Sequence, residues 1–326
     1  MIPLIQIVNL FLYVFSRLIE NIPFRKIPIS TKCLVGKTAI VTGGNRGIGF
    51  ATATALASRG CKVIIADSQN GELSRDQIIS DTENKNIVYK HLDLSSLQSV
   101  RDFAADICKT EDKIDILINN AGIGVTKKLV SEDGLNYIMQ VNIFGAFLLT
   151  HLLLDLLKKA KSARVLFVSS IFVNTHNLNL DTLNITNYNM DDHYRTILYS
   201  NSKVCCILAA QEFNRKLKKH GIIANAIDPI GVKTQIFQTM KYFNNVLVSS
   251  GLALLLNIFH QNVQDVANHY LHVITEKDEE ESTGQNYVLS SIARKPTILK
   301  NSQFCEDIWC KMEEIVGLKP KEKISS

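Results

Sequence analysis

Residues 38–49, TAIVTGGNRGIG, constrain the fold more than any other stretch, because they read as a strand, a tight turn and a helix start in immediate succession. Thr38 to Val41 is short and β-branched, Gly43, Gly47 and Gly49 follow, and an apolar helical pattern runs from Ile48 to Arg59 before Gly60 ends it. A strand–turn–helix unit of this kind leaves backbone N–H groups unpaired at the positive end of a helix dipole, where an anion can sit. Glycine lets that anion approach the main chain closely.

The next segment turns this into a β-α-β unit. Lys62 to Asp67, KVIIAD, reads as a second buried strand that ends in an acid, at the distance where dinucleotide-binding folds place a carboxylate on ribose hydroxyls. Strands are expected at 38–41, 62–67, 87–91, 114–118, 164–168, 222–227 and 284–289. Helices are expected at 48–59, 73–84, 97–109, 135–142, 145–159, 199–218 and 301–316. Alternation of this sort predicts an α/β fold: a single doubly wound, Rossmann-type parallel sheet with helices on both faces. With 326 residues and 46% hydrophobic content, one large core plus appendages fits better than two equal domains. The polar, Asn- and Asp-rich stretch 171–198 lacks periodicity and is expected to be a surface insertion. A net charge of +5, scattered along the chain, is too mild to argue for nucleic acid, and no nucleic-acid partner is expected. The seven cysteines show no paired metal spacing and are expected to be reduced.

Residues 1–35 form a separate unit. Ile2 to Ser16 carries no formal charge, but its fifteen residues extend only roughly 22 Å as a helix, short of the roughly 30 Å hydrocarbon core of a bilayer. Gln6, Asn9, Tyr13, Ser16 or Arg17, and Glu20 recur at spacings of three and four and mark a narrow polar stripe on an otherwise apolar helix. The reading is an N-terminal anchor helix lying in one leaflet, with a spanning helix whose Arg17 snorkels as the alternative. Arg17, Arg25, Lys26, Lys32 and Lys37 all follow the segment, so the positive-inside rule predicts a folded domain, 36–326, facing the cytoplasm. The expected location is the endoplasmic reticulum or lipid-droplet membrane.

Chemistry is expected at Tyr199 and Lys203 in YSNSK, four residues apart on one face of a helix. A phenol with an ordinary pKa of about 10 is a poor base. An ammonium at about 4 Å and an effective dielectric near 20 would favour the phenolate by roughly 4 kcal/mol, or about three pKa units. That shift would bring the group near working pH, where general acid/base catalysis is most effective. Asn119-Asn120-Ala121-Gly122, directly after the fourth strand, offers small and amide residues for close approach of a ligand.

With these residues in place, the chain resembles the short-chain dehydrogenase/reductase family from about Gly36 to Leu289. The resemblance rests on TGGNRGIG at 42–49, NNAG at 119–122, Ser170, YSNSK at 199–203 and DPIGVKT at 228–234. Within the family it is similar to the membrane-associated, retinol dehydrogenase-like branch. The resemblance implies that Tyr199 is the acid/base and that Lys203 lowers its pKa and holds the nicotinamide ribose. Ser170, with Ser169 as the alternative, would bond the substrate oxygen, and Asn142 would complete a proton relay. Gly43, Arg46, Gly47 and Ile48 would line the pyrophosphate turn. Asp93 would meet the adenine, Asn119 and Gly122 the adenosine side, and Val232 and Thr234 the nicotinamide amide and phosphates.

The implied cofactor is NAD or NADP. Asp67 would bond the ribose hydroxyls directly and repel a 2′-phosphate, whereas Arg46 would attract one, and NAD is favoured. One departure from the family stands out: Pro229 is followed by Ile230 before Gly231, and a β-branched residue disfavours φ > 0 in the loop under the nicotinamide. The leading expectation is hydride transfer between nicotinamide and a lipophilic alcohol or carbonyl of retinoid, steroid or long-chain prenoid type, with homo-oligomerisation left open. The alternatives are a non-catalytic cofactor-binding or membrane-scaffold protein and a soluble sugar or acyl-carrier reductase. The apolar run Val246 to Phe259 would be either a substrate entrance or a core helix.

Overall fold

The computed structural model describes residues 29–186, 192–229, 261–275, 284–288 and 290–324. The N-terminal anchor, Ile230, Val232, Thr234 and the run 246–259 lie outside the described residues. Eight strands form one sheet: β1 (Thr38–Thr42), β2 (Lys62–Asp67), β3 (Ile87–His91), β4 (Ile116–Asn119), β5 (Ala163–Val168), β6 (Ile222–Asp228), β7 (Asn286–Val288) and β8 (Ser291–Ala293). Their spatial order is β3-β2-β1-β4-β5-β6-β7-β8, and every pairing is parallel except that of β7 with β8.

The central strands are near-continuous apolar runs because both faces of the sheet are covered. Alternate side chains feed two cores. Ile40, Ile64, Leu117 and Phe167 join the layer formed by α3 (Leu97–Thr110), α4 (Gly145–Leu152), α5 (Leu154–Lys159), α6 (Asp192–Leu217) and α8 (Ser302–Ile315). Val41, Ile65, Ile118 and Leu166 join the opposite layer, formed mainly by α1 (Gly47–Ala57) and α7 (Val263–Thr275), while α2 (Glu72–Thr82) contributes Ile78. Helix α3 shows how local sequence sets these elements. Ser96 caps it by accepting from the Ser99 N–H, and Val100, Phe103, Ala104 and Ile107 form the buried face that their spacing predicts.

Several expectations need correcting. Helix α6 begins at Asp192, not Tyr199, so Tyr199 lies two turns inside it. The helix expected at 135–142 is a single turn at Tyr137–Met139 that widens into a π-helical turn, Gln140–Phe144, and the one at 145–159 breaks at Leu153 into α4 and α5. The terminal strand is a short hairpin of β7 and β8. The stretch after Ser170 is no mere surface loop: Ile171, Phe172, Val173, Leu178 and Leu183 are all buried. Isolated apolar residues without a period anchor it, which is why no regular element was legible there. Among the described residues, no helix is long and apolar enough to cross a membrane.

Helix α8 closes the core with Trp309, which packs edge-on against Phe147 and Phe213 and lies beside His151. Burial pushes the pKa of His151 down to about 4, against the opposing effect of its Nδ1 contact, 3.2 Å, with the Glu322 carbonyl. The unfolded chain would take up this proton near pH 6.5, while the folded chain stays neutral until about pH 4. Stability is therefore fully present above pH 6.5 and is lost as pH falls toward 4, by about 3 kcal/mol in all. A His151→Phe variant is expected to flatten this slope in urea midpoints measured from pH 7 to 4.5; an unchanged slope would show that His151 is not its source.

Candidate active site

The glycine turn joins β1 to α1, and each glycine is required for a different reason. Gly47 has φ +58° and opens onto free space. A Cβ at Gly43 would lie 2.9 Å from the Ala121 Cα, and one at Gly49 would lie 2.1 Å from the Gly43 carbonyl oxygen. Arg46, exposed and extended, precedes α1 and provides no side-chain cap, so the first-turn N–H groups point outward without a side-chain partner. Ile48 turns inward and is buried. This is a cradle that side chains cannot fill, and it fits a pyrophosphate.

The turn sits at the one place where the sheet order reverses. Connections from β1 run outward to β2 and β3, whereas β4 lies on its other side and leads the other way. The crevice beyond the carboxyl ends of such strands is where open α/β sheets bind ligands. Thr42 and Asn120, which lie within the TGGNRGIG and NNAG motifs and were assigned no individual role there, hold this crevice together. Buried Thr42 accepts from the backbone N–H groups of Asn120 and Ala121, both at 3.0 Å, and Asn120 Nδ2 donates to the Thr42 carbonyl at 2.9 Å. Their only sequence signal is position, immediately before the glycines and within NNAG.

Asp67 ends β2 beside the turn and accepts from the backbone N–H groups of Asn45, 3.3 Å, and Gln69, 3.1 Å. Asp93 follows β3 and accepts from Ser95 through both its N–H and its hydroxyl, each at 2.8 Å. Asn119 points away from the crevice: it is buried and donates to Thr150 of α4 at 3.1 Å, bracing the sheet against that helix. Gly122 lies against Lys203 and Asn142, since a Cβ there would stand 3.3 Å from Lys203 Nζ and 3.2 Å from Asn142 Oδ1. That places Gly122 at the Lys203 end of the crevice.

Tyr199, Lys203, Ser170 and Asn142 come together at the ends of β4 and β5. Ser170 stands near enough to Tyr199 for its hydroxyl to oppose the rise of the phenol's pKa, and its Oγ accepts from the Phe172 N–H at 3.4 Å, whereas Ser169 is turned into the sheet and donates to Asn286 Oδ1, 3.2 Å away. Lys203 Nζ donates to the Val168 carbonyl at 3.0 Å and stands 5.7 Å from the centre of the Tyr199 ring. Asn142 lies in the π-helical turn with its side chain fully committed: Oδ1 accepts from the Ile123 N–H at 2.8 Å, and Nδ2 donates to the Ile123 carbonyl and Ser202 Oγ, both at 3.0 Å. Its own carbonyl accepts from the Cys206 thiol at 3.4 Å. Ser202 in turn donates to the Tyr199 carbonyl at 2.6 Å.

The electrostatics correct the expectation of an acidified phenol. Tyr199 is fully enclosed, and burial pushes its pKa well above the ordinary value. The Ser170 hydrogen bond opposes that rise, and the nearby Asp228 and Cys206 add to it. Burial lowers the pKa of Lys203 despite Cys206 and Asp228. Desolvation of the two enclosed groups outweighs the charge placed one helical turn away. The ammonium also faces a carbonyl instead of the phenol oxygen.

This combination of glycine cradle, switch-point crevice and Ser–Tyr–Lys cluster defines a class, and residues 37–180 match the family described as short chain dehydrogenase. The chain belongs to the short-chain dehydrogenase/reductase family: it is a nicotinamide-dependent oxidoreductase acting on CH–OH groups. Within that family it is retinol dehydrogenase-like. It is 31% identical to human retinol dehydrogenase 13 over 292 residues, covering 89% of this chain and 87% of that protein. It is 30% identical to human retinol dehydrogenase 11 over 322 residues, covering 98% of each. A solved protein of Mycobacterium paratuberculosis shares the fold, with a TM-score of 0.68, 23% identity and coverage of 88% of this chain and 96% of that one.

Proposed function

We propose that the chain interconverts a lipophilic alcohol and its carbonyl compound, of retinoid, steroid or long-chain prenoid type, with Tyr199 as general acid/base. The observation that carries this reading is the meeting of Tyr199, Ser170 and Lys203 beside Gly122, one strand from the glycine cradle. Ser170 and Tyr199 hold the substrate oxygen between two hydroxyls. In reduction the Tyr199 phenol, kept protonated by its burial, gives its proton to the carbonyl oxygen as that carbon gains a hydride; in oxidation the same group acts as the phenolate, a form that the positive ring of an oxidised nicotinamide would favour, and takes the alcohol proton. Lys203, fixed by Val168, orients the ribose and supplies positive charge near the phenol. Asn142 keeps the Ile123 backbone and Ser202 in register and thereby sets the height of α6 at Tyr199. Gly43, Arg46, Gly47 and Ile48 form the pyrophosphate turn, Asp67 and Asp93 flank the adenosine, and Val232 and Thr234 complete the nicotinamide side. The bound nicotinamide would supply the hydride acceptor or donor.

Residues 1–35 would tether domain 36–326 to a membrane, which suits a substrate that partitions into lipid. NAD is the favoured cofactor, because the Asp67 carboxylate at the end of β2 repels a 2′-phosphate. An Asp67→Ser variant is expected to raise the NADP:NAD ratio of kcat/KM roughly tenfold, corresponding to about 1.4 kcal/mol of relieved repulsion. An unchanged ratio would exclude Asp67 as the discriminating group. The reading itself is tested by following absorbance at 340 nm with purified full-length protein, each nucleotide and a panel of lipophilic alcohols. Turnover confined to that panel supports it. Turnover of sugars, or of nothing in the panel, contradicts it.

A further inference from the structure

We propose that Asp228, the last residue of β6, is a positioning residue whose negative charge keeps the Tyr199 hydroxyl and the Lys203 amine protonated. The proposal rests on the dehydrogenase reading and adds to it the group that sets the pH range in which the site works. Asp228 is only 6% exposed. Ile222, Ala224 and Ala226 of β6 lie in the core beneath α6, and Ile227 lies in the opposite one, so alternation turns Asp228 to the α6 face. The register with β5 pairs Val168 with Ile227, and the Ser169 N–H donates to the Ile227 carbonyl at 2.8 Å. Asp228 therefore lies level with Ser169, which separates Ser170 from the Val168 carbonyl that holds Lys203 Nζ at 3.0 Å.

Three buried groups respond to this carboxylate. Burial raises the pKa of Tyr199, and Asp228 adds to the rise; burial lowers that of Lys203, and Cys206 and Asp228 oppose the fall. Tyr270 of α7, fully enclosed, is raised by burial first and then by Asp228 and Tyr199. A phenolate beside a buried carboxylate is a like-charge pair in a place poor in water, whereas an ammonium there is compensated. Among the described residues, the other titratable groups that face Tyr199 are Lys203 and Cys206 on α6 itself and Tyr270 on α7. The π-helical turn and the turn Ile171–Thr175 carry none, and Tyr137 lies against Lys128. Helix α8 brings its acid Glu306 to the far end of α6, where it pairs with Arg215 and Lys216. Burial pushes Cys206 and Tyr270 up and keeps both neutral, so the negative charge in the cluster is that of Asp228.

The test follows kcat/KM for alcohol oxidation and for carbonyl reduction, at saturating nucleotide and from about pH 6 to about pH 10, in the wild-type chain, Asp228→Asn, Asp228→Ser and Asp228→Glu. Oxidation uses the phenolate and rises with pH. In the two neutral variants that rise is expected about one pH unit lower, the size of one nearby charge. The alkaline fall of reduction is expected to move down by the same amount, because the equilibrium constant ties the two directions together at each pH. Asp228→Glu keeps the charge and is expected to leave both limbs within about 0.3 unit of the wild type. Melting curves show which variants fold, and Asp228→Ser carries the comparison if Asp228→Asn does not. Carbon-13 NMR of tyrosine labelled at Cζ gives a readout without turnover. The wild-type Tyr199 signal, identified by its loss in Tyr199→Phe, is expected to remain that of a neutral phenol up to about pH 10 in the nucleotide-free chain. Ionisation below that pH would overturn the proposal. So would limbs that stay in place or move upward in a folded neutral variant, or activity lost equally at every pH, which would mark Asp228 as structural. Absence of turnover in the wild-type chain would instead overturn the dehydrogenase reading, while the NMR titration still decides whether the phenol is held protonated.

Discussion

Replacing Tyr199 with Phe is expected to lower kcat by about a thousandfold while leaving nucleotide affinity within about twofold. The size follows from the role: a positioned acid/base contributes roughly 10²–10⁴ to rate. Ser170 stands beside Tyr199 and accepts from the Phe172 N–H, and Ser169 is turned away to Asn286. Phe retains the ring, which packs at 6.2 Å from Phe172, so the fold is preserved. The measurement is kcat at 340 nm beside a fluorescence titration of the nucleotide. Full activity in the variant would remove Tyr199 from the chemistry.

Replacing Gly49 with Ala is expected to be the most damaging single-methyl change in the cradle. The added carbon would lie 2.1 Å from the Gly43 carbonyl oxygen and 2.6 Å from Asn120 Nδ2. The first of these is backbone and cannot swing aside, so the turn must open, at a cost of roughly 1–3 kcal/mol or more. Opening also separates Asn120 from Thr42, to which it bonds at 2.9 Å, and so spreads β1 from β4 at the crevice. Nucleotide affinity is expected to fall about a hundredfold or more, with a lower melting temperature. Gly47→Ala is the control. Its Cβ meets nothing within 4 Å, and its φ of +58° costs only about 1–2 kcal/mol. If Gly49→Ala bound nucleotide and melted like Gly47→Ala, close packing would not be what keeps that position glycine.

The first β-α-β unit was legible because its strands are short apolar runs bounded by glycines and its helix has a clear start. The register of Tyr199 and Lys203 was legible because one helical turn separates them. What could not be read depends on interactions that leave no period in the sequence. The 171–198 stretch looked solvated because Asn and Asp dominate it. Yet those residues bond to each other and to Asn136 and Asn201, while isolated Leu178 and Leu183 supply the burial. The start of α6 at Asp192 lay in the same polar stretch. The π-helical turn at Gln140–Phe144 is invisible to a 3.6-residue pattern that changes by one residue. Most instructive is Tyr199: the charge beside it could be counted from sequence, but the desolvation that outweighs that charge could be seen only once the fold enclosed both groups.

The central claim is that this crevice passes a hydride between a nicotinamide ring and a carbon that Ser170 and Tyr199 hold by its oxygen. The most direct measurement is a mass-spectrometric single turnover with NADH or NADPH carrying deuterium at both C4 positions and a long-chain prenoid or retinoid aldehyde. The account predicts one deuterium on the carbinol carbon of the product, formed by the wild-type chain and about a thousandfold more slowly by Tyr199→Phe. Unlabelled product, or label arriving at equal rates in the two proteins, would contradict it.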